Sequence, residues 1–231
     1  SLAARLAGVP CINNIAGLGT AFIHDGPLTR IVRALYTLSQ KSCRRIFFQN
    51  PDDRALFLDR GLARPEQTDL LPGSGVDTER FVPASAQKGE TESVVFLLIA
   101  RLIWDKGVGE FAAAARQVLA EYPQARFQLL GFVDDNNPRA VPEEQIWSWE
   151  EEGTLIWLGR SDDVRPHIAS ADCVVLPSYY REGTPKSLLE AASMGKPLIT
   201  TDAVGCRQTV EEGGKGFLCR PRDAQDLAGK M

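Results

Sequence analysis

No run in these 231 residues is long and apolar enough to cross a bilayer, and no signal-peptide pattern precedes the first segment. A basic excess is missing too: 26 Lys and Arg face 30 Asp and Glu, a net charge of -4. Domains that track nucleic-acid phosphates carry surplus cation, so the balance argues against nucleic acid as a partner and makes any anion site local. The five cysteines (Cys11, Cys43, Cys173, Cys206, Cys219) form no C-x-x-C pair, and several lie inside apolar runs. They read as buried free thiols in a reducing compartment. Internal repeats and low-complexity tracts are absent.

What is present is ordinary for a globular protein: 44% hydrophobic and 24% charged residues, enough chain for one large domain or parts of two. The chain opens inside a helical pattern, "SLAARLAGVP". It stops at "RPRDAQDLAGKM", where Asp223 reads as an N-cap with Asp226 three residues later. Both ends read as cut, and the expectation is a piece of a longer protein with its last helix truncated.

From residue 93 onward, short β-type runs alternate with amphipathic helical windows. The expected strands are 94–100, 126–131, 154–159, 172–177, 197–201 and 216–219. The clearest helix is "GEFAAAARQVLAEY", where Val108, Phe111, Ala112, Ala115, Val118, Leu119 and Tyr122 recur at three- and four-residue steps. Repeated strand–helix–strand units predict an α/β fold with a doubly wound, mostly parallel, Rossmann-like sheet covered on both faces. The first seventy residues differ. Helical windows at 1–7 and 28–43 lead to an apolar "RRIFFQN", then "PDDRALFLDRGL" as a helix with Pro51 in its first turn. The Pro-, Gly- and charge-rich stretch 68–93 reads as the crossing between domains 1–72 and 73–231.

Ligands of doubly wound sheets bind beyond the carboxyl ends of the strands. After the first strand of the α/β region comes "ARLIWDKGV", where a guanidinium (Arg101) and an ammonium (Lys106) suit a diphosphate, or are solvated surface charges. After the third comes "LGRSDDVRP", where Gly159 permits close backbone approach to a flat ligand and Arg160 opens a polar turn, or the loop merely connects. After the fourth comes "PSYYREGTPKSLLEAASMG". There Thr184 reads as an N-cap and Pro185 as the first helical residue, leaving first-turn N–H groups and Lys186 to attract an anion. Glu182 stands upstream, placed to accept from sugar hydroxyls. Glu190 lies more than a turn inside, either on a solvated stripe or partly buried with partners such as a ribose diol.

These stretches in this order resemble glycosyltransferase family 4, the retaining enzymes of the GT-B fold. The matching motifs are "ARLIWDKGVGEF", "WLGRSDDVRPHIASADCVVLPS", the E-x7-E signature "EGTPKSLLE" with "AASMGKPLITTD", and "GCRQTVEEGGKGFLC". The resemblance runs from about Pro72 to the end and implies a nearly complete C-terminal nucleotide-sugar domain. Upstream, "AGLGTAFI" and "FFQNPDDRALFLDRGL" resemble the closing part of the acceptor-binding N-terminal domain, here partial, in relatives that build lipid-linked bacterial polysaccharides.

The resemblance implies that Arg101 and Lys106 hold the donor diphosphate and stabilise departing UDP. It places Glu190 on the ribose hydroxyls and Glu182 beside the reacting carbon of the donor sugar. Gly183 and Thr184 lend backbone groups, and the Gly159–Arg160 turn holds the uracil edge. It further implies transfer from a UDP-sugar to a saccharide or polyprenyl-diphosphate-linked acceptor, with no metal or other cofactor and no enzymic nucleophile, in the cytoplasm or on the inner face of its membrane. His24 and His167 match no site position, and Trp147 and Trp149 receive no role. The segment "PLTRIVRALYTLSQKSCRR" aligns Ile31, Leu35 and Leu38 beside Arg30, Arg33, Lys41, Arg44 and Arg45. It is either a membrane-surface helix or one packed on a core with solvated cations. The competing function is a nucleotide-binding Rossmann-type module without transferase activity. A dinucleotide domain should carry G-x-G-x-x-G where "ARLIWDKGVG" stands.

Overall fold

The computed structural model describes all residues except 1, 19–26, 41, 84–92, 135, 212 and 215. His24 and most of "AGLGTAFI" lie outside the described residues. The chain divides into two compact units: Ser1–Gly75 with Tyr180–Pro185 and Val204–Gln208, and Val76–Tyr179 with Lys186–Ala203 and Thr209–Met231.

The larger unit is built on six strands: β4 (Val95–Ile99), β5 (Arg126–Leu130), β6 (Ile156–Trp157), β7 (Cys173–Leu176), β8 (Leu198–Thr201) and β9 (Gly216–Cys219). All pairings are parallel, in the order β6-β5-β4-β7-β8-β9. The chain winds outward from β4 on one side and from β7 on the other, so the order reverses between those two strands. Alternation along β4 sends Phe96 and Leu98 into one core and Leu97 into the other. That explains why "VFLLI" is an unbroken apolar run rather than an alternating one.

The first core is covered by α4 (Val108–Glu121), α5 (Glu143–Glu151) and α8 (Ala224–Lys230). Within it Phe96 stacks on Phe127 at 5.1 Å, and Phe111 meets Phe127 edge-on. The second core is covered by α6 (Arg165–Ser170) and α7 (Lys186–Ser193). Asp223 caps α8 by accepting from the Asp226 N–H at 2.9 Å, as its spacing predicts.

The smaller unit holds a parallel sheet of β1 (Ile12–Ile15), β2 (Arg45–Phe48) and β3 (Thr68–Leu70), in that order. The helices α1 (Leu2–Leu6), α2 (Pro27–Gln40) and α3 (Pro51–Asp59) accompany it. Its core gathers Ile46, Phe48 and Phe57, with Val32 and Tyr36 of α2 against it. Asn50 caps α3 through the Asp53 N–H, with Pro51 in the first turn.

One expectation needs correction and two gain detail. The third α/β strand is two residues long, because Thr154 and Leu155 are drawn back by hydrogen bonds to the Trp149 carbonyl. The stretch 68–93 is more than a crossing, since it begins with β3 and buries Phe81 in the second core of the larger unit. On α2 the side facing the core carries Val32 and Tyr36, while Ile31, Leu35 and Leu38 are exposed beside exposed Arg30. All five cysteines are free, four of them buried, and burial pushes the Cys173 thiol up to about 12.

Candidate functional site

Because every strand of the larger unit points the same way, its carboxyl ends share one edge. Arg101 follows β4, Gly159 and Arg160 follow β6, and Glu190 lies in α7, which follows β7. From β6 to β7 the edge spans three strand spacings, about 14 Å.

The turn after β4 is held from three directions. Arg101 is exposed, whereas Asp105 is buried and receives both Nε (2.8 Å) and a terminal nitrogen (2.9 Å) of Arg139. This fork raises the Arg139 pKa. The Asp105 carbonyl accepts from the Tyr179 N–H and the Ser178 hydroxyl, tying the turn to the segment after β7. Gly107 ends the turn at φ 77°, and a Cβ there would lie 2.1 Å from the Pro177 carbonyl oxygen. Only glycine fits both the left-handed backbone and that approach. Lys106, half-buried, is thereby carried on a fixed turn directly before α4.

Between the tips of β4, β5 and β6 lies a cleft of about 400 Å³ lined by Ala100, Gly131, Phe132, Arg160, Ser161 and Asp162 among others. Its floor is tight: a Cβ at Gly131 would lie 1.9 Å from the Ala100 carbonyl oxygen, and the Gly131 N–H donates to the Gly159 carbonyl. The Arg160 guanidinium sits 5.7 Å from the Phe132 ring centre and 3.6 Å from Asp162. Gly159 adopts φ 68° with open space where a Cβ would project. A planar group could lie against that backbone.

Glu190 is 8% exposed, which resolves its two readings in favour of partial burial. Burial pushes its carboxyl up, opposed by Lys186, whose Nζ stands 3.6 Å away, and by Arg80. The helix carrying it begins at Lys186, one residue later than expected, with Thr184 and Pro185 in the preceding segment.

Glu182, Gly183 and Thr184 belong to the smaller unit, so the structure groups Arg101, Lys106, Gly159, Arg160 and Glu190 in one body and these three in the other. The Thr184 N–H donates to Gln49 Oε1 at 3.1 Å, and the Glu182 carbonyl accepts from Asn50 Nδ2 at 3.4 Å. Sequence reasoning missed Asp105, Arg139, Gln49, Asn50, Asp53 and Arg181. Pro51 announced the start of a helix, but nothing around it signalled that Asp53 meets a partner 128 residues away. His167 is a half-buried residue of α6, Trp149 is buried, and Trp147 is exposed. Among the described residues no helix is long and apolar enough to cross a membrane, and no three His, Cys, Asp or Glu side chains could together hold a metal.

Residues 93–231 match the family model described as Glycosyl transferases group 1. The chain belongs to this family. Among curated members, it is 29% identical over 245 aligned positions to N,N'-diacetylbacillosaminyl-diphospho-undecaprenol alpha-1,3-N-acetylgalactosaminyltransferase of Campylobacter jejuni, covering 100% of this chain and 62% of that protein. It is 27% identical over 234 positions to UDP-Gal:alpha-D-GlcNAc-diphosphoundecaprenol alpha-1,3-galactosyltransferase of Escherichia coli, covering 96% of this chain and 59% of the relative. This family member thus spans about three fifths of the length of those relatives.

Among solved structures, HepE of Anabaena with UDP and glucose superposes with a TM-score of 0.82 at 24% identity, covering 99% of this chain and 62% of that one. Sucrose-phosphate synthase of Thermosynechococcus elongatus gives 0.80 at 21% identity, over 99% and 60%. Both carry the GT-B fold, and the expected α/β GT-B class is the fold of this chain.

Proposed function

We propose that this chain is the donor-binding part of a retaining glycosyltransferase. It would move a hexosyl or N-acetylhexosaminyl group from a UDP-sugar to a saccharide or polyprenyl-diphosphate-linked saccharide in surface-polysaccharide synthesis. The observation that carries the reading is a single sheet edge bearing a cationic turn, a planar cleft and a partly buried carboxylate, in the spatial order β6, β4, β7. In this reading the Gly159–Arg160 turn takes the uracil, Glu190 the ribose diol, and Arg101 with Lys106 the diphosphate.

The chemical contribution is electrostatic. As the bond from the sugar's anomeric carbon to the diphosphate oxygen lengthens, negative charge grows on that oxygen. Arg101 and Lys106 stabilise it better than they stabilise the intact donor. Glu182 then contacts the sugar near its reacting carbon as a site residue rather than a nucleophile, and Gly183 and Thr184 add backbone groups. The acceptor hydroxyl attacks from the face the diphosphate leaves and passes its proton to the departing phosphate oxygen, so the new bond forms on the side of the broken one and configuration is retained. No metal has a part in the reading. The relatives' undecaprenyl-diphosphate acceptors support a lipid-linked acceptor here, and exposed Ile31, Leu35 and Leu38 on α2 support peripheral contact with the cytoplasmic membrane.

The test is calorimetric titration with UDP, ADP and GDP, then with UDP-sugars, with and without EDTA. UDP should bind at micromolar level, on the order of -8 kcal/mol, be preferred over the other two, and be indifferent to EDTA. Lys106→Ala and Glu190→Ala should each weaken it. Binding indifferent to both substitutions refutes the assignment.

A further inference from the structure

Every residue lining the cleft at the tips of β4, β5 and β6 belongs to the larger unit, and Phe132 is the aromatic side chain of that lining. In the donor-site reading the Gly159–Arg160 turn offers the base an edge. An edge alone anchors a ligand weakly in water, because each hydrogen bond it gains replaces one to solvent. A flat ring gains more when its faces are covered as well.

Phe132 is 41% exposed, yet its main chain is fixed from both neighbouring strands. Its carbonyl accepts from the N–H of Leu102, after β4, at 3.0 Å. The Gly131 N–H donates to the carbonyl of Gly159, after β6, at 2.9 Å, and the Gly131 carbonyl accepts from the Trp157 indole at 3.0 Å. Isolated exposed phenylalanines are common and need no account. Here the ends of three strands are bonded together where one such ring lines a cleft.

Over that ring lies the Arg160 guanidinium, 5.7 Å from its centre. A base slotted between the two needs their planes about 7 Å apart, twice the usual contact distance of stacked atoms. Arg160 can rise by the difference at little cost. It and Asp162, its ion-pair neighbour at 3.6 Å, are both exposed, and such pairs contribute little.

We infer that Phe132 is a further donor-binding residue, whose ring is the platform on which the base of the nucleotide stacks, with the Arg160 guanidinium closing over the other face. The inference rests on the donor-site reading and extends it from the edge of the base to its faces. Every base has a π-face, so Phe132 adds affinity for the nucleotide and leaves the choice among bases to groups at the edge.

The experiment titrates the whole chain calorimetrically with UDP and with 5,6-dihydro-UDP, as wild type, Phe132→Leu and Phe132→Trp, with melting temperatures alongside. The reduced base keeps the N–H and carbonyl edge of uracil, but its ring is puckered and no longer aromatic. Phe132→Leu keeps an apolar side chain and removes the flat face. It should weaken UDP about 5- to 150-fold, the range that loss of base–aromatic stacking produces, and weaken dihydro-UDP far less. Phe132→Trp should bind UDP as well as wild type does, a rescue that a packing role for the phenyl ring would not give. Should Phe132→Leu fail to fold, the added indole fluorescence of Phe132→Trp decides. Quenching by UDP beyond that by dihydro-UDP supports stacking, and equal quenching overturns it. Unchanged UDP binding in Phe132→Leu, or equal weakening of both ligands, also overturns the inference. If Lys106→Ala and Glu190→Ala still weaken UDP in that case, the donor-site reading stands without it. Wild type that fails to bind UDP defeats the donor-site reading, and the inference with it.

Discussion

Glu190→Gln separates the two things a buried carboxylate can do. The side chain is 8% exposed, and the Lys186 ammonium on the same helix stands 3.6 Å from its carboxylate. Glutamine keeps its shape and loses the charge. If the ionised carboxylate accepts from the ribose diol, the substitution forfeits hydrogen bonds to a charged group, about 1.5–3 kcal/mol. That corresponds to UDP binding about 10- to 150-fold weaker. The fold should not suffer, because an exposed (i, i+4) lysine partner contributes only about 0.3–0.5 kcal/mol and burial already opposes the charge. The assay is calorimetric titration with UDP and 2'-deoxy-UDP for wild type and variant, with melting temperature as control. The analogue lacks one partner of the carboxylate, so the variant should lose less affinity for it than for UDP. Equal losses, or unchanged UDP binding, refute the ribose role.

Burial raises the Glu190 pKa, and the ribose needs its ionised form, so UDP affinity should fall with acidification at a higher pH than an ordinary glutamate would give. The ligand-free protein has the opposite slope from this group. Its raised folded pKa contributes stability below the unfolded value, lost as pH rises through the folded one, and Glu190→Gln should remove both dependences in titrations and melts across the acid range. Gly107→Ala places a methyl 2.1 Å from the Pro177 carbonyl oxygen at φ 77° and should cost about 2–5 kcal/mol in urea unfolding. Gly159→Ala, left-handed but with open space, should cost about 1–2 kcal/mol. Equal costs would show that the contact at Gly107 is irrelevant.

Much of the larger unit was legible because its signals are local. The run "VFLLI" has to be buried on both faces, and "GEFAAAARQVLAEY" has a helical period, so strand and helix follow from neighbours in the chain. In the smaller unit β1 was hidden: "INNI" carries two asparagines, and their place in a strand depends on long-range partners such as Gln40, whose Oε1 accepts from Asn13 Nδ2 at 2.7 Å. The bonds of Asp105 to Arg139 and Asp53 to Arg181 were equally out of reach. Each joins residues separated by 34 or 128 positions, and neither partner shows which charge it will meet.

By itself the sequence determined the class of fold, the order of its parallel units and the residues available at the strand ends, because periodicity and turn chemistry act over a few residues. Tertiary structure alone decided that Glu190 is buried rather than solvated, that Asp105 stiffens the cationic turn, and that the segment around Glu182 is seated on the smaller unit. Burial and ion pairing depend on which distant atoms displace water from a side chain, and that is settled only when the chain has closed on itself.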